Sequence, residues 1–245
     1  MKVRMINYEE LVLQELMLWK KKMNKEPSST GGIIKAIQVK TNSLIPDKVN
    51  NLITDVIKNM VKGVLTGSEF TTKKPPAKGN LEDRENLVKG KLEFYKKSAM
   101  VSGAGTGAAG LLVSFADFPI LLGLKFKFIF DTASLFGFDV GDYKERLYIL
   151  YVFKLAFSSE EKRREVFRQI LNWDSYVKQL PSDVNLFDWR TFEQEYRDYI
   201  DLAKLLQVVP GVGAVVGAFA NYKLMDKLGV TAINAYRLRV FKINE

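Results

Sequence analysis

The sequence predicts an all-α protein, a compact multi-helix domain built around two tightly packed glycine-rich central helices. Three observations carry that expectation. Apolar residues recur at spacings of three and four along nearly the whole chain, the period of a helix face. No run alternates apolar and polar residues for long enough to make a half-buried strand. Two glycine-rich apolar segments, Ser98 to Leu124 and Leu205 to Ala220, place small residues one helical turn apart. Helix backbones that meet along such a stripe approach closely and gain dispersion and Cα–H···O contacts. The packing positions are Gly103, Gly107 and Gly110 in the first segment and Gly213 and Gly217 in the second.

Taken in order, Tyr8, Val12, Leu16, Trp19 and Met23 line one face of a first helix, which ends before the loop from Pro27 to Gly32. Pro46 suits the first turn of a second helix, whose apolar positions are Val49, Leu52, Ile53, Val56, Ile57, Met60, Val61 and Val64. The polar, proline-bearing stretch 66–80 reads as a flexible loop. Asn80 is placed to cap the next helix, with Glu82, Asp83 and Glu85 in its early turn, and that helix should run into the first glycine segment. Asp117 can cap a helix that begins at Pro119. Phe136, Gly137 and Phe138 make a turn, followed by Asp139 and Arg146 as a candidate ion pair. Ser158 and Glu161 have the spacing of a capping box for EEKRREVFRQIL. A further helix from about Asp188 leads to Gln207; Pro210 then starts the second glycine segment and Gly229 ends it. One domain spanning 1–245 is expected.

Composition narrows the chemistry. Hydrophobic residues at 47% and charged residues at 27% are ordinary for a folded chain. There is no cysteine and no histidine, which removes disulfides, thiol nucleophiles, zinc sites built on Cys or His, haem ligation by His and imidazole general bases. No cofactor is expected and no metal, because Asp117, Asp139 and Asp201 match no metal-binding spacing. Gly105, Gly107 and Gly110 spell GxGxxG with Asp131 about twenty residues on, but the preceding KGKLEFYKKSAMVS reads as helix where a dinucleotide site needs a buried strand. A GxxxxGK[ST] loop is absent.

The net charge of +9 sits at the front of the chain, where the first 100 residues hold 19 Lys and Arg against 11 Asp and Glu. Such a surface attracts phosphate on anionic lipid or nucleic acid. Nucleic acid is not expected, since no zinc finger, RNA-recognition signature or cluster of aromatics among the lysines is present. Ala99 to Leu124 is long enough to span a bilayer and carries Asp117 as its only charge, with Lys96, Lys97, Lys125 and Lys127 at its flanks. Asp117, Pro119 and five glycines argue against a stable span. The segment is either the buried centre of a helical domain or a hairpin, bent near Asp117, that docks on a bilayer.

A site, if one exists, should centre on polar residues set into the apolar segments, because burying them is unfavourable unless they are paired. Asp117 and Asn221 each end a glycine-rich stretch, and packing of the two segments would bring them near each other and near Lys204, Tyr236 or Arg237. Arg197, Asp201 and Lys204 share one helical face. The competing readings are a cap for Asp117, a backbone hydrogen bond for Asn221 and a solvated face for the other three.

Several separated stretches together resemble the EcsC protein family. They are Tyr8, Glu9 and Glu10 followed by Trp19; Ile45, Pro46 and Lys48; Gly103 to Pro119, closing on Asp117, Phe118 and Pro119; and Gly137, Phe138 and Asp139. The densest is YRDYIDLAKLLQVVPGVGAVVGAFANYKLMDKLGVTAINAYRLR, Tyr196 to Arg239. Between them, 66–80 and 158–187 show no such pattern. The family takes its name from an operon whose other products form an ABC transporter, so the resemblance implies a membrane-proximal, cytoplasmic accessory role and supplies no catalytic residues. The expectation is therefore a non-enzymatic accessory protein, peripheral on the inner face of the membrane or associated with an ABC transporter. Its basic N-terminal half would face anionic lipid or an acidic partner. The alternative is an enzyme acting on a lipid or phosphate-bearing substrate through a polar pocket around Asp117 and Asn221.

Overall fold

The computed structural model describes residues 7–26, 47–67, 79–106, 118–183, 186 and 214–244, with the backbone course alone at 47–53, 102–106 and 214–217. Among these residues there are eight α-helices, one 3-10 turn and no β-strand, as the three-and-four spacing predicts.

The first helix, α1 (Tyr8–Met23), buries Val12, Leu16, Trp19 and Met23, and sets Glu9 and Glu10 in its first turn and Lys20, Lys21 and Lys22 in its last. Both sets of charges oppose the helix dipole favourably. Trp19 meets Phe167 edge to face at 5.3 Å, which fixes α1 against the later half of the chain. α2 (Asp47–Thr66) buries Ile57, Val61, Val64 and Leu65 and stops at Gly67, whose φ of +70° is a conformation glycine adopts without strain. α3 (Leu81–Thr106) begins with the cap expected at Asn80. The Asn80 side chain accepts from the Asp83 N–H at 2.9 Å, and the Asp83 carboxylate accepts from the Asn80 N–H at 3.2 Å, a reciprocal capping box. The helix does run into the first glycine segment, as far as Thr106.

α4 (Phe118–Leu135) closes on a Schellman motif. Gly137, at φ +94°, donates to Ser134 and Phe138 donates to Ala133, which accounts for the predicted turn at Phe136 to Phe138. α5 (Tyr143–Phe157) is capped by Asp142, and every residue from Leu147 to Phe157 is buried. A helix apolar on all sides belongs in the middle of a fold. α5 is that middle, packing against α2, α4, α6 (Glu160–Leu171) and α8 (Ala214–Val240). The short α7 (Trp173–Tyr176) and the 3-10 turn Val177–Gln179 bring Trp173 against Tyr148 and Tyr151, at 5.0 and 5.3 Å between ring centres.

Two boundary expectations are corrected. Ser159, not Ser158, caps α6 by accepting from the Lys162 N–H; Ser158 ends α5 and turns its hydroxyl back to the Lys154 carbonyl. Two adjacent serines both suit a cap, and the preceding helix has already claimed the first. Gly229 does not terminate the second glycine segment, because α8 runs unbroken from Ala214 to Val240. It sits in mid-helix where α8 crosses α3: a Cβ there would lie 2.4 Å from Leu92 Cδ2 and 2.6 Å from Cδ1. The helix instead ends with Lys242 at φ +51°, donating to Arg239, while Ile243 donates to Leu238.

Among the described residues α3 and α8 form the most extensive helix pair. Glu85 meets Arg237, Leu92 meets Gly229 and Lys96 meets Asp226, so eleven residues forward on α3 is eleven backward on α8 and the pair is antiparallel. Gly103 and Gly217 lie on the far turns of this pair, while Gly107, Gly110 and Gly213 lie outside the described residues. Most of the 66–80 stretch and the segment from Asp188 to Gln207 lie outside them too.

Candidate functional site

Of the six residues expected to form a polar site, Asp117, Arg197, Asp201 and Lys204 lie outside the described residues. Asn221 and Arg237 are both on α8, sixteen residues apart, which at 1.5 Å per residue separates them by about 24 Å. They do not share a pocket. Asn221 is half-buried, whereas Arg237 is buried and is the centre of a polar cluster joining three helices.

The Arg237 guanidinium donates twice to Glu85 on α3, at 2.8 and 2.6 Å, once to Glu15 on α1 at 3.1 Å, and once to Asn234 on its own helix at 3.3 Å. Burial works against its charge, but Glu85 and Glu15 outweigh that and hold its pKa above the ordinary guanidinium value. Glu85 also accepts from the Tyr8 hydroxyl at 2.8 Å. Burial, then the neighbouring Glu85 carboxylate, pushes the Tyr8 pKa up to about 12. The planar fork of arginine suits this bidentate seat, where a lysine would satisfy one oxygen at a time.

Above this cluster lies a cleft of about 390 Å³ between α1, α3 and α8, lined on its apolar side by Leu18, Trp19, Val230 and Ile233 and on its basic rim by Lys22 and Lys89. Arg237 forms the floor with its charge already committed to two carboxylates; at the rim Lys89 lies 3.9 Å from Glu85, while Lys22 forms no ion pair with a described residue. The outward face of α1 continues the same character. Leu18 is 71% exposed and Leu11 46%, one i,i+7 line opposite the buried row, and Lys21 and Lys25 extend that line toward the helix end. Met17 is exposed beside them, and Met17, Leu18, Lys20, Lys21, Lys22 and Lys25 line a second open depression. Lys20 donates to the Asn244 carbonyl; Lys21, Lys22 and Lys25 form no ion pair with a described residue.

The remaining buried charges are bound into the helix packing. Glu145 on α5 accepts from Tyr236 at 2.8 Å and from Arg239 at 2.6 Å, and the Arg239 guanidinium lies over the Phe138 ring at 3.7 Å. Burial raises the Glu145 pKa in spite of Arg239. Asp131 on α4 accepts from Tyr95 and Lys127 and pairs with Lys91; burial pushes its carboxyl up, but Lys127, Tyr95 and Lys91 bring it below the usual range. This explains Asp131 without a nucleotide, and α3, a helix, precedes the glycines as expected. Lys96 joins Glu93 and Asp226 at 2.8 Å each. The candidate pair of Asp139 and Arg146 does not form: Asp139 accepts from the Gly141 N–H, and Arg146 donates to the carbonyls of Leu65, Val140 and Gly141. Among the described residues no group of three acidic side chains could hold a metal ion, and no helix is long and apolar enough to cross a membrane.

Sequence reasoning named Arg237 and the basic N-terminal half but missed Glu85, Glu15, Leu11 and Leu18. Leu11 and Leu18 carried a readable signal, a second apolar line on a helix whose inner face was already accounted for. Glu85 carried none, since an acid in a first turn is more simply a partner for the helix dipole.

Fold and site together define a basic all-α protein whose buried charges tie helices together and whose exposed lysines on α1 stand beside exposed apolar side chains. The sequence pattern of the EcsC protein family matches residues 10–241. Protein EcsC of Bacillus subtilis (strain 168) is 43% identical over 234 residues, covering 95% of this chain and 96% of that protein. The uncharacterized protein YdbA of the same organism is 30% identical over 164 residues, 66% of this chain and 60% of that protein. The chain belongs to the EcsC family. No solved structure matches it.

Proposed function

We infer that the protein is a membrane-surface accessory protein that uses the outward face of α1 and the rim of the α1–α3–α8 cleft to bind anionic lipid headgroups. The observation that carries this reading is the adjacency of Leu11, Met17 and Leu18, exposed to water, with Lys21, Lys22 and Lys25, which form no ion pair with a described residue. An interfacial helix places such apolar side chains at the acyl boundary and its lysines among the phosphates. Partial burial of apolar side chains and electrostatic attraction reinforce each other, and each lysine near an anionic surface contributes about 1 kcal/mol. The family's namesake operon makes proximity to an ABC transporter part of the same reading, with α1 holding the protein at the membrane that the transporter spans.

The test is vesicle binding by variants that keep the fold. Lys21, Lys22 and Lys25 are exposed and touch no described carboxylate, so their replacement by glutamate should leave melting near the wild type. Binding to vesicles containing anionic lipid should fall by on the order of 100-fold or more. Leu18→Glu should weaken it as well, by removing the apolar part. Unchanged affinity in both variants would remove α1 from the reading.

A further inference from the structure

α3 has a second apolar edge, pointing away from the core. Leu87, Phe94 and Val101 recur every seven residues and are 50%, 61% and 75% exposed. Asp83, Gly90 and Lys97, also exposed, alternate with them at spacings of three and four. Six positions over 19 residues thus form one line about 27 Å long, in the alternating four-and-three spacing that marks the seam of a paired helix. The buried row of α3, Leu81, Glu85, Val88, Leu92 and Ala99, lies on the opposite side and already meets α4 and α8.

We propose that this seam pairs with the same seam of a second copy of the chain, antiparallel, about a two-fold axis at Gly90. The line is self-complementary in charge only that way round. An antiparallel match sets Asp83 against Lys97 of the second copy and Lys97 against its Asp83, while a parallel match sets like charges together. Leu87 then lies beside Phe94 of the second copy on either side of the axis. Gly90 is otherwise unexplained: it is in mid-helix, where glycine is unfavourable relative to alanine, and a Cβ there would meet nothing of its own chain within 4 Å. At a crossing point it lets two backbones approach. The lysines that flank the axis each lie near a carboxylate of their own chain, Lys91 at 3.3 Å from Asp131 and Lys89 at 3.9 Å from Glu85. The seam carries one acid and one base, so it lacks the positive excess that suits α1 to a membrane.

The chain has no cysteine, which makes the test direct. Gly90→Cys places a single thiol on the axis, and mild oxidation should give a disulfide-linked dimer within minutes; Lys144→Cys, exposed on α5, should remain monomeric at the same concentration. Sedimentation equilibrium of the wild type should show a dimer. Phe94→Glu should raise its dissociation constant at least tenfold while melting is unchanged, and Lys97→Glu should raise it less. A wild type that stays monomeric, with Gly90→Cys oxidising no faster than Lys144→Cys, would overturn the proposal. So would a monomer whose vesicle binding is lost in Phe94→Glu, which would make the seam a lipid contact.

Discussion

Removing Arg237 would strand Glu85 in a place that water cannot reach. The loss of one partner from a buried pair costs about 3–5 kcal/mol, so Arg237→Met should unfold at markedly lower urea concentration than the wild type. The double variant Glu85→Gln with Arg237→Met should recover most of the loss, because the uncompensated charge is gone. Equal midpoints for the wild type and Arg237→Met would show that the cluster adds nothing to stability. Lys125 makes the opposite case. It is 2% exposed, its amine meets the Leu121 carbonyl at 3.3 Å, and burial lowers its pKa from 10.5 to about 8. Between those two values the unfolded chain binds more protons than the folded one, so this residue makes stability rise with pH through that window. Lys125→Met should therefore be more stable than the wild type at pH 7, by about 3 kcal/mol, with the advantage shrinking from pH 8 and absent above about pH 10.5. Paired thermal melts across that range read the difference directly. An advantage independent of pH would mean that packing, not charge, sets it.

Helices were legible because period and caps act locally: the buried row of α1 and the Asn80 cap follow from neighbours a few residues apart. What depends on crossings between distant segments was not. Gly229 reads in sequence as a terminator, and only the passage of Leu92 across it shows that it is a contact point. The burial of α5 on all sides was equally hidden, since an apolar run such as RLYILYVFKLAF gives no sign of which element sits at the centre. The α3–α8 crossing predicts that Gly229→Val will destabilise the protein by about 1–3 kcal/mol through overpacking. Adding Leu92→Ala should return part of that by making room. If Gly229→Val melts like the wild type, the two helices do not cross as closely as described.

The described fold is a set of helices cross-linked by buried ion pairs, with exposed lysines and exposed apolar side chains set side by side on α1. That division separates what holds the molecule together from what it offers to a partner, and only the second part bears on function. The basic half was visible in the sequence as a count of lysines; the particular surface was not, because it depends on which face of α1 the core takes. The account rests on that surface meeting anionic lipid. The most direct measurement is co-sedimentation of the wild-type protein with neutral and with anionic liposomes, each at low and at high salt. The protein should pellet with anionic liposomes at low salt, be released at high salt, and stay in solution with neutral ones. A protein that stays in solution under all four conditions, or that pellets equally with both lipids regardless of salt, would contradict the account.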